Sequence, residues 1–221
     1  MYWLLNSSIG RKFIMSISGI FLVLFLLFHL SMNLTLLFST DAYDWICELL
    51  GANWYAIAGT LVLAAGFVIH IVYGTWLTLL NRKARGTERY ASSHKTETEW
   101  ASKNLWVLGA FIFLGLVIHL WNFWYQMQFA ELIHSPNAII EGSGLVIGLF
   151  SQPVFTVIYL VWLLALWFHL THGVWSAFQT LGWDGKLWFS RLKVISNIVA
   201  TIVAIGFAAV PIYFLISTLT H

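Results

Sequence analysis

The sequence predicts an all-α membrane protein with five transmembrane helices. Of its 221 residues, 60% are hydrophobic and only 9% are charged, whereas roughly a quarter of the residues in a soluble domain are charged. The apolar residues also lie in long uninterrupted blocks rather than at amphipathic spacing, so the surface of these helices must face lipid. The sequence lacks the short alternating segments that are typical of a transmembrane barrel.

Five stretches are long enough to cross a bilayer, which takes about 20 apolar residues. They are 13–38, 54–80, 104–130, 152–181 and 194–219, and we expect them to form a single domain over 1–221. The first stretch is longer than the core of a signal peptide and has no small-residue cleavage site, so we expect a mature helix. The single cysteine, Cys47, excludes an intrachain disulfide and a cysteine-based metal site.

The basic residues orient the chain. All 11 fall in three segments: Arg11 and Lys12 before the first span, Arg82, Lys83, Arg85, Arg89, Lys95 and Lys103 between the second and third, and Lys186, Arg191 and Lys193 between the fourth and fifth. The positive-inside rule therefore predicts a cytoplasmic N-terminus and an external C-terminus. The net charge of +2 is not gathered on one face, which argues against nucleic acid as a partner.

Histidines inside the membrane are the strongest functional signal. Five lie within the spans: His29, His70, His119, His169 and His172. An ionisable residue at membrane depth is costly, faces the bundle interior and marks a functional site. The other three, His94, His134 and His221, lie outside the spans, and we interpret them as solvated residues.

Four of these histidines sort into pairs by depth. His29 and His119 lie 17 and 16 residues beyond the basic residues that precede them, about 25 Å at a rise of about 1.5 Å per residue. His70 and His169 lie about 12 residues, about 18 Å, from the cytoplasmic ends of their spans. We name them the outer pair (His29, His119) and the inner pair (His70, His169). One imidazole from each of two helices is what a bis-histidine haem takes at the centre of a four-helix bundle, here the first four spans. The alternative is that each histidine fixes packing by an interhelical hydrogen bond.

Glycines accompany these histidines at a spacing of four residues. They are Gly66 and Gly74 around His70, Gly115 before His119, and Gly173 after His169. Residues four apart share a helix face, so a side chain there would meet a flat macrocycle, and the glycines predict room for haem. The alternative is close helix packing. His29 departs from the pattern, since Phe25 and Asn33 are its neighbours.

The local stretches around the histidines carry a family resemblance. They are Phe28-His29-Leu30 with Asn33, His70-Ile71-Val72-Tyr73-Gly74, Ile118-His119-Leu120-Trp121 and Phe168-His169-Leu170-Thr171-His172-Gly173-Val174-Trp175-Ser176, continuing to Gln179-Thr180. Over nearly the whole chain, the sequence resembles the dihaem cytochrome b anchor subunit of succinate:quinone and quinol:fumarate oxidoreductases (complex II). The resemblance implies two haems b, an outer one on His29 and His119 and an inner one on His70 and His169. It implies that His172 is a polar neighbour of the inner haem; the alternative is that His172 is itself a ligand.

The resemblance also implies partners and a reaction. In a bacterial cytoplasmic membrane, a flavoprotein with covalent FAD and an iron–sulfur subunit would dock on the cytoplasmic face, with a dimer of heterotrimers as one option. Electrons would pass between succinate or fumarate and a membrane quinone, and we expect menaquinone. This chain has neither a Rossmann glycine fingerprint nor a cysteine set. Dicarboxylate chemistry therefore belongs to the partners, and we expect the quinone site in this chain.

Two acidic residues are candidates for the proton-exchanging group at the quinone site. Glu48 matches the place of a glutamate that is important for quinol oxidation in dihaem fumarate reductases. Asp44 is one turn away if that loop is helical, and it is the competing candidate; a solvated loop acid is the alternative for Glu48. Some relatives have a glutamate two residues before the fourth-span ligand, as part of a proposed proton path. Trp167 stands there in this sequence.

Arg11, Lys103 and Lys186 are candidates to bind the inner-haem propionates, whereas the outer side has no basic residue. Another candidate class is the membrane cytochrome of a hydrogenase or formate dehydrogenase, although those usually place two ligands on one helix. A third class is a haem-free transporter or packing scaffold, which would show no haem absorption.

Overall fold

The structure, a computed structural model, describes residues 7–85, 100–183 and 185–220. It is 89% helical, without a strand in those ranges, which confirms the predicted all-α class. Parts of the predicted basic loop, including Arg89, His94 and Lys95, lie outside the described residues, and so does His221.

Five helices are long and apolar enough to cross a membrane, as predicted. They are α1 (Ser8–Leu34), α3 (Trp54–Arg85), α4 (Trp100–His119), α6 (Pro153–Thr180) and α7 (Lys186–Thr220). Directly after His119, α4 continues as a π-helix, Leu120–Phe129, and a last turn, Ala130–Leu132. The last helix begins at Lys186 rather than at the predicted 194 because the helical backbone continues through polar residues that do not count toward an apolar span.

Two short helices, α2 (Thr40–Leu49) and α5 (Gly142–Phe150), lie in the loops after the first and third spans. The side chain of Ser39 caps α2 by accepting from the Ala42 backbone N–H at 3.2 Å. The carboxylate of Asp44 accepts from both the backbone N–H and the hydroxyl of Ser143, at 2.7 and 2.6 Å. Backbone N–H groups in the first turn of a helix have no partner within the helix. Asp44 of α2 accepts a hydrogen bond from one of them in α5.

The first four long helices pack around a common interior. α1 contacts α3 and α6, and α4 contacts α6 and α3. In the described part of the chain, α1 is not in extensive contact with α4, nor α3 with α6, so these are the two diagonals of a four-helix arrangement. α7 packs outside it, against α6 and α1.

Charges separate the two ends of the bundle. The described carboxylates all lie at the end that carries α2 and α5, which we name the acidic end: Asp41, Asp44, Glu48, Glu131 and Glu141. The described lysines and arginines lie at the opposite end, the basic end, where several pack on indole rings. Arg11 lies 5.0 Å from the centroid of Trp76, and Arg82 lies 5.5 Å from that of Trp106. Such contacts are favourable for a partly desolvated cation.

Candidate haem sites

Both histidine pairs meet across the diagonals of the bundle. The rings of His29 on α1 and His119 on α4 have centroids 5.9 Å apart and planes at 83°. The rings of His70 on α3 and His169 on α6 have centroids 6.3 Å apart and planes at 69°. The structure therefore brings together the same residues that depth alone paired in the sequence, and it places each pair in the bundle interior.

These separations suit one metal between two imidazoles. A metal–nitrogen bond to imidazole is about 2 Å, and the ring centroid lies about 1 Å behind the bonding nitrogen. Two imidazoles on opposite sides of one iron would therefore have centroids about 6 Å apart. The observed 5.9 and 6.3 Å match the centroid separation expected for two imidazoles on one iron.

The ring nitrogens of the four histidines differ in their contacts. Nδ1 of His119 and Nδ1 of His169 are buried, without a hydrogen-bond partner among the described residues. Buried polar atoms are almost always paired, so each exception needs an explanation. Nδ1 of His70 lies 3.3 Å from the hydroxyl of Ser18, an outer contact of the kind that orients a metal-binding imidazole through its second nitrogen. The backbone of Leu105 approaches the His169 ring.

The two pairs lie at different levels of the bundle. Ser18 of α1 contacts His70, and it precedes His29 by eleven residues, about 16 Å along the helix. On α4, a Cβ built at Gly109 would lie 3.6 Å from Cε1 of His169. Gly109 precedes the outer-pair histidine of the same helix by ten residues, about 15 Å. Two independent helices thus give the same separation between the pairs.

Aromatic rings enclose the outer pair. Their centroids lie 5.4 Å (Phe25) and 5.6 Å (Phe207) from that of His29, and 5.1 Å (Phe123), 5.7 Å (Trp162) and 6.2 Å (Tyr159) from that of His119. Phe25 stacks nearly parallel to His29, at 13°. The amide of Asn33 donates to the His29 carbonyl at 2.8 Å and lies 3.4 Å from both ring nitrogens. The residues that replace the glycine pattern around His29 therefore hold its ring from two sides.

On α1, the inner pair has smaller neighbours than the aromatic rings around the outer pair. A Cβ built at Gly19 would lie 3.3 Å from Cε1 of His70, so glycine allows α1 to approach the ring closely. One turn further along α3, a Cβ at Gly74 would lie 3.2 Å from Cε of Met15. Gly74 therefore faces a flexible side chain of α1.

The other predicted glycines have different surroundings. A Cβ at Gly66 would lie 2.6 Å from Cε1 of Phe21, and a Cβ at Gly115 would collide with the indole of Trp162. A Cβ at Gly173 would have no described atom of another segment within 4 Å. Gly66 and Gly115 thus accommodate rings of neighbouring helices, whereas Gly173 borders open space.

His172 lies one turn after His169 on α6, and its ring centroid is 4.6 Å from that of Trp175. The backbone between the two histidines is held from α7. The buried hydroxyl of Ser196 lies 2.9 Å from the Leu170 carbonyl and 2.8 Å from the Thr171 carbonyl. The fifth span, which has no histidine, thus anchors the helix that carries two of them.

At the acidic end, the two candidate acids have different environments. Asp44 caps α5, whereas Glu48 is exposed, and in the described part of the chain its carboxylate makes no hydrogen bond or ion pair. A shallow cleft of about 260 Å³ is lined by Trp45, Glu48, Leu49, Asn53 and Tyr55. The loop between the first two spans contains the helix α2. Asp44 and Glu48 therefore lie one turn apart, which was the condition for Asp44 to compete with Glu48.

The side of α2 that packs against α5 also carries the cysteine. Tyr43 and Cys47 are hydrogen-bonded to each other, and burial raises the pKa of both side chains. A Cβ at Gly142 would lie 2.7 Å from Sγ of Cys47, so glycine is needed where α5 crosses α2.

At the basic end, the three candidate propionate partners also differ. Arg11 is half-buried, and within the described ranges its Nε is buried without a hydrogen-bond partner. Lys103 and Lys186 are exposed. Arg11 and Ser18 are seven residues apart on α1, so they share the helix face that contacts His70.

Several neighbours of the histidines were missed by sequence reasoning. Ser18 stands eleven residues before His29, which is three helical turns, and a polar residue at that spacing in an apolar span was a usable signal. Asn33 was noted only as an exception to the glycine pattern. Nothing in the sequence singled out Phe21 or Trp162 among its many aromatic residues.

In the described ranges, no group of three or more histidine, cysteine, aspartate or glutamate side chains is placed to hold a metal ion. A haem requires only two such ligands because the porphyrin supplies the other four. Comparison with known protein families, curated proteins and solved structures gives no match to this chain.

Proposed function

We propose that this chain is the dihaem cytochrome b membrane subunit of a succinate:quinone oxidoreductase or quinol:fumarate reductase. It would carry electrons between an iron–sulfur partner and membrane quinone. The observation that supports this best is the presence of two histidine pairs, each across a diagonal of one bundle, with ring centroids 5.9 and 6.3 Å apart. A bound haem b supplies a one-electron couple at each pair.

The side chains suit electron transfer rather than oxygen chemistry. Imidazole is a neutral ligand, so four of them bring no added charge into the apolar interior. Two histidines per site leave no open coordination position. The rings around the outer pair, including Phe25 and Phe123, exclude water from it. These residues bind, orient and shield, and none of them has to exchange a proton.

Proton exchange is needed only where quinone reacts, because reducing a quinone to a quinol takes up two protons. We place that site at the acidic end, near the outer pair, with Glu48 as the proton-exchanging group. The Tyr55 hydroxyl donates to the Leu49 carbonyl at 2.7 Å, and the Asn53 amide lies 3.2 Å from two carbonyls of α2. These two residues are already engaged in closing the loop, and Glu48 is the carboxylate among the residues that line the cleft.

The inner pair lies toward the basic end, where we place the iron–sulfur and flavoprotein subunits. By the positive-inside rule this end is cytoplasmic. Electrons arriving there would reach the inner pair first, then the outer pair about 15 Å further along the bundle, and then menaquinone.

Haem stoichiometry tests the core of the proposal. A pyridine haemochrome assay on the purified chain should give about two haems b per chain, and a potentiometric titration should show two one-electron steps. Zero or one haem per chain would refute the assignment, and zero would favour a haem-free scaffold.

Membership of complex II needs a separate measurement. In membranes that contain the whole complex, succinate should reduce the haem α-band. Reduction by hydrogen or formate but not by succinate would assign the chain to the other class of quinone-linked cytochromes.

A further inference from the structure

Two aromatic rings of the bundle are seated on glycines of neighbouring helices. Phe21 of α1 lies over Gly66 of α3, where an added Cβ would be 2.6 Å from Cε1 of the ring. Trp162 of α6 lies over Gly115 of α4, where an added Cβ would collide with Cδ1 and Nε1 of the indole. In both cases the ring occupies the space that any other residue would fill with its own side chain.

Phe21 lies at the level between the pairs, whereas Trp162 extends from that level to the outer pair, where its ring centroid is 5.7 Å from that of His119. Phe21 is three residues after Ser18, which contacts the inner pair, and eight residues before His29. The indole of Trp162 donates through Nε1 to the Ile112 carbonyl at 2.9 Å. Ile112 is three residues after the glycine of α4 that approaches the inner pair, and seven residues before the outer-pair histidine of the same helix.

The rings and the histidine pairs connect different helices. The rings join adjacent helices, α1 to α3 and α4 to α6, whereas the histidine pairs bridge the diagonals. A slip of one residue between adjacent helices displaces a ligand by about 1.5 Å. Metal–ligand distances tolerate only about 0.2 Å. Specific contacts between adjacent helices must therefore fix their axial register. The apolar side chains that face lipid do not form such contacts.

We propose that Phe21 and Trp162 are positioning residues. Seated on Gly66 and Gly115, their rings fix α1 against α3 and α4 against α6, so that both pairs are held at ligand separation at once. This inference rests on the proposed function, and it changes the role of these two glycines from clearance for a macrocycle to sockets for aromatic rings. The Trp162 hydrogen bond to Ile112 keeps the indole from swinging away.

Substitutions at the Gly115 socket test the proposal. Gly115→Ala forces its methyl group into the anchored indole, and overpacking of this kind should weaken haem retention about 5- to 150-fold. Haem retention is measured as the rate of haem transfer to an apo-protein acceptor. Trp162→Leu removes the ring, so the double variant should be less damaged than the sum of the two single variants. Gly59→Ala is the matched control: in the part of the chain that the structure describes, an added Cβ at Gly59 would meet nothing of another segment within 4 Å, so this variant should behave like the wild type.

The same cycle with Gly66→Ala and Phe21→Leu tests the other socket. Two results would overturn the inference: Gly115→Ala indistinguishable from Gly59→Ala, or a double variant as damaged as the sum of the singles, which would indicate clearance for the macrocycle. The cycle is also measured by thermal unfolding of the haem-free protein. If the wild type held no haem, the proposed function would fail, whereas the coupling between Gly115 and Trp162 in unfolding would still decide the packing claim.

Discussion

Replacing His119 by leucine should remove one haem and leave the other. Leucine keeps an apolar side chain among Phe123, Tyr159 and Trp162, so the bundle should still fold. The outer site loses one of its two imidazoles, while His70 and His169 keep their 6.3 Å separation. Haem content should therefore fall from about two to about one per chain.

The distance between the pairs limits how far the loss of the outer haem can shift the midpoint potential of the inner haem. Two unit charges about 15 Å apart interact by about 1 kcal/mol at an effective dielectric constant of about 20. For a one-electron couple this corresponds to about 50 mV. The midpoint potential of the inner haem in His119→Leu should therefore move by no more than about that amount.

The assay is a potentiometric titration of the α-band in the purified variant, alongside the pyridine haemochrome. His172→Leu is the control, and it should keep about two haems, since two protein ligands complete each site. Loss of both haems from folded His119→Leu protein, or a shift of the inner midpoint several times larger, would contradict two separate sites. Loss of the inner haem in His172→Leu would transfer the ligand role to that residue.

Three further outcomes are expected. Arg11→Gln should lower the inner midpoint potential relative to Lys12→Gln, because a positive charge near the site favours its reduced form; equal potentials in the two variants would rule out Arg11 as a propionate partner. Asp44→Ala should cost about 2 kcal/mol of unfolding free energy, the scale of hydrogen bonds to a charged group, and Glu141→Ala should cost less; equal thermal midpoints would contradict the cap. Burial raises the pKa of the Cys47 thiol, so maleimide should label it more slowly at pH 8 than a water-exposed cysteine. Above about pH 8.5 the thiol ionises more readily in the unfolded protein than in the folded one, so thermal stability should fall as pH rises further. A thermal midpoint that rises there would contradict burial of the thiol.

The five spans and the pairing of the histidines were predictable because both depend on distance along a helix. The rise per residue is nearly constant, so counting residues from the basic loops was enough to place His29 with His119 and His70 with His169. Depth does not say which helices are adjacent. That the pairs lie on diagonals emerged only from the packing of α1, α3, α4 and α6.

The parts that sequence reasoning could not determine depend on contacts between distant segments. Asp44 and Glu48 stand one turn apart, and nothing local says that Asp44 is engaged by Ser143, 99 residues away. A glycine in the sequence likewise does not show whether a cofactor or a neighbouring side chain fills the space beside it. At Gly66 and Gly115 the structure places a ring there. The π-helix after His119 was also unpredicted, since apolar periodicity assumes an α-helical turn.

That π-helix changes the helical phase of the third span. Its turns are wider than those of an α-helix because they close through i→i+5 bonds. A face extrapolated from His119 at the α-helical period therefore drifts progressively around the axis from Leu120 to Phe129. The same span can thus direct a histidine into the bundle interior and, farther on, turn Gln128 toward the Leu50 and Gly51 carbonyls. A substitution scan of this span should show one periodicity before His119 and a longer one after it, with the change of phase at the proposed ligand itself.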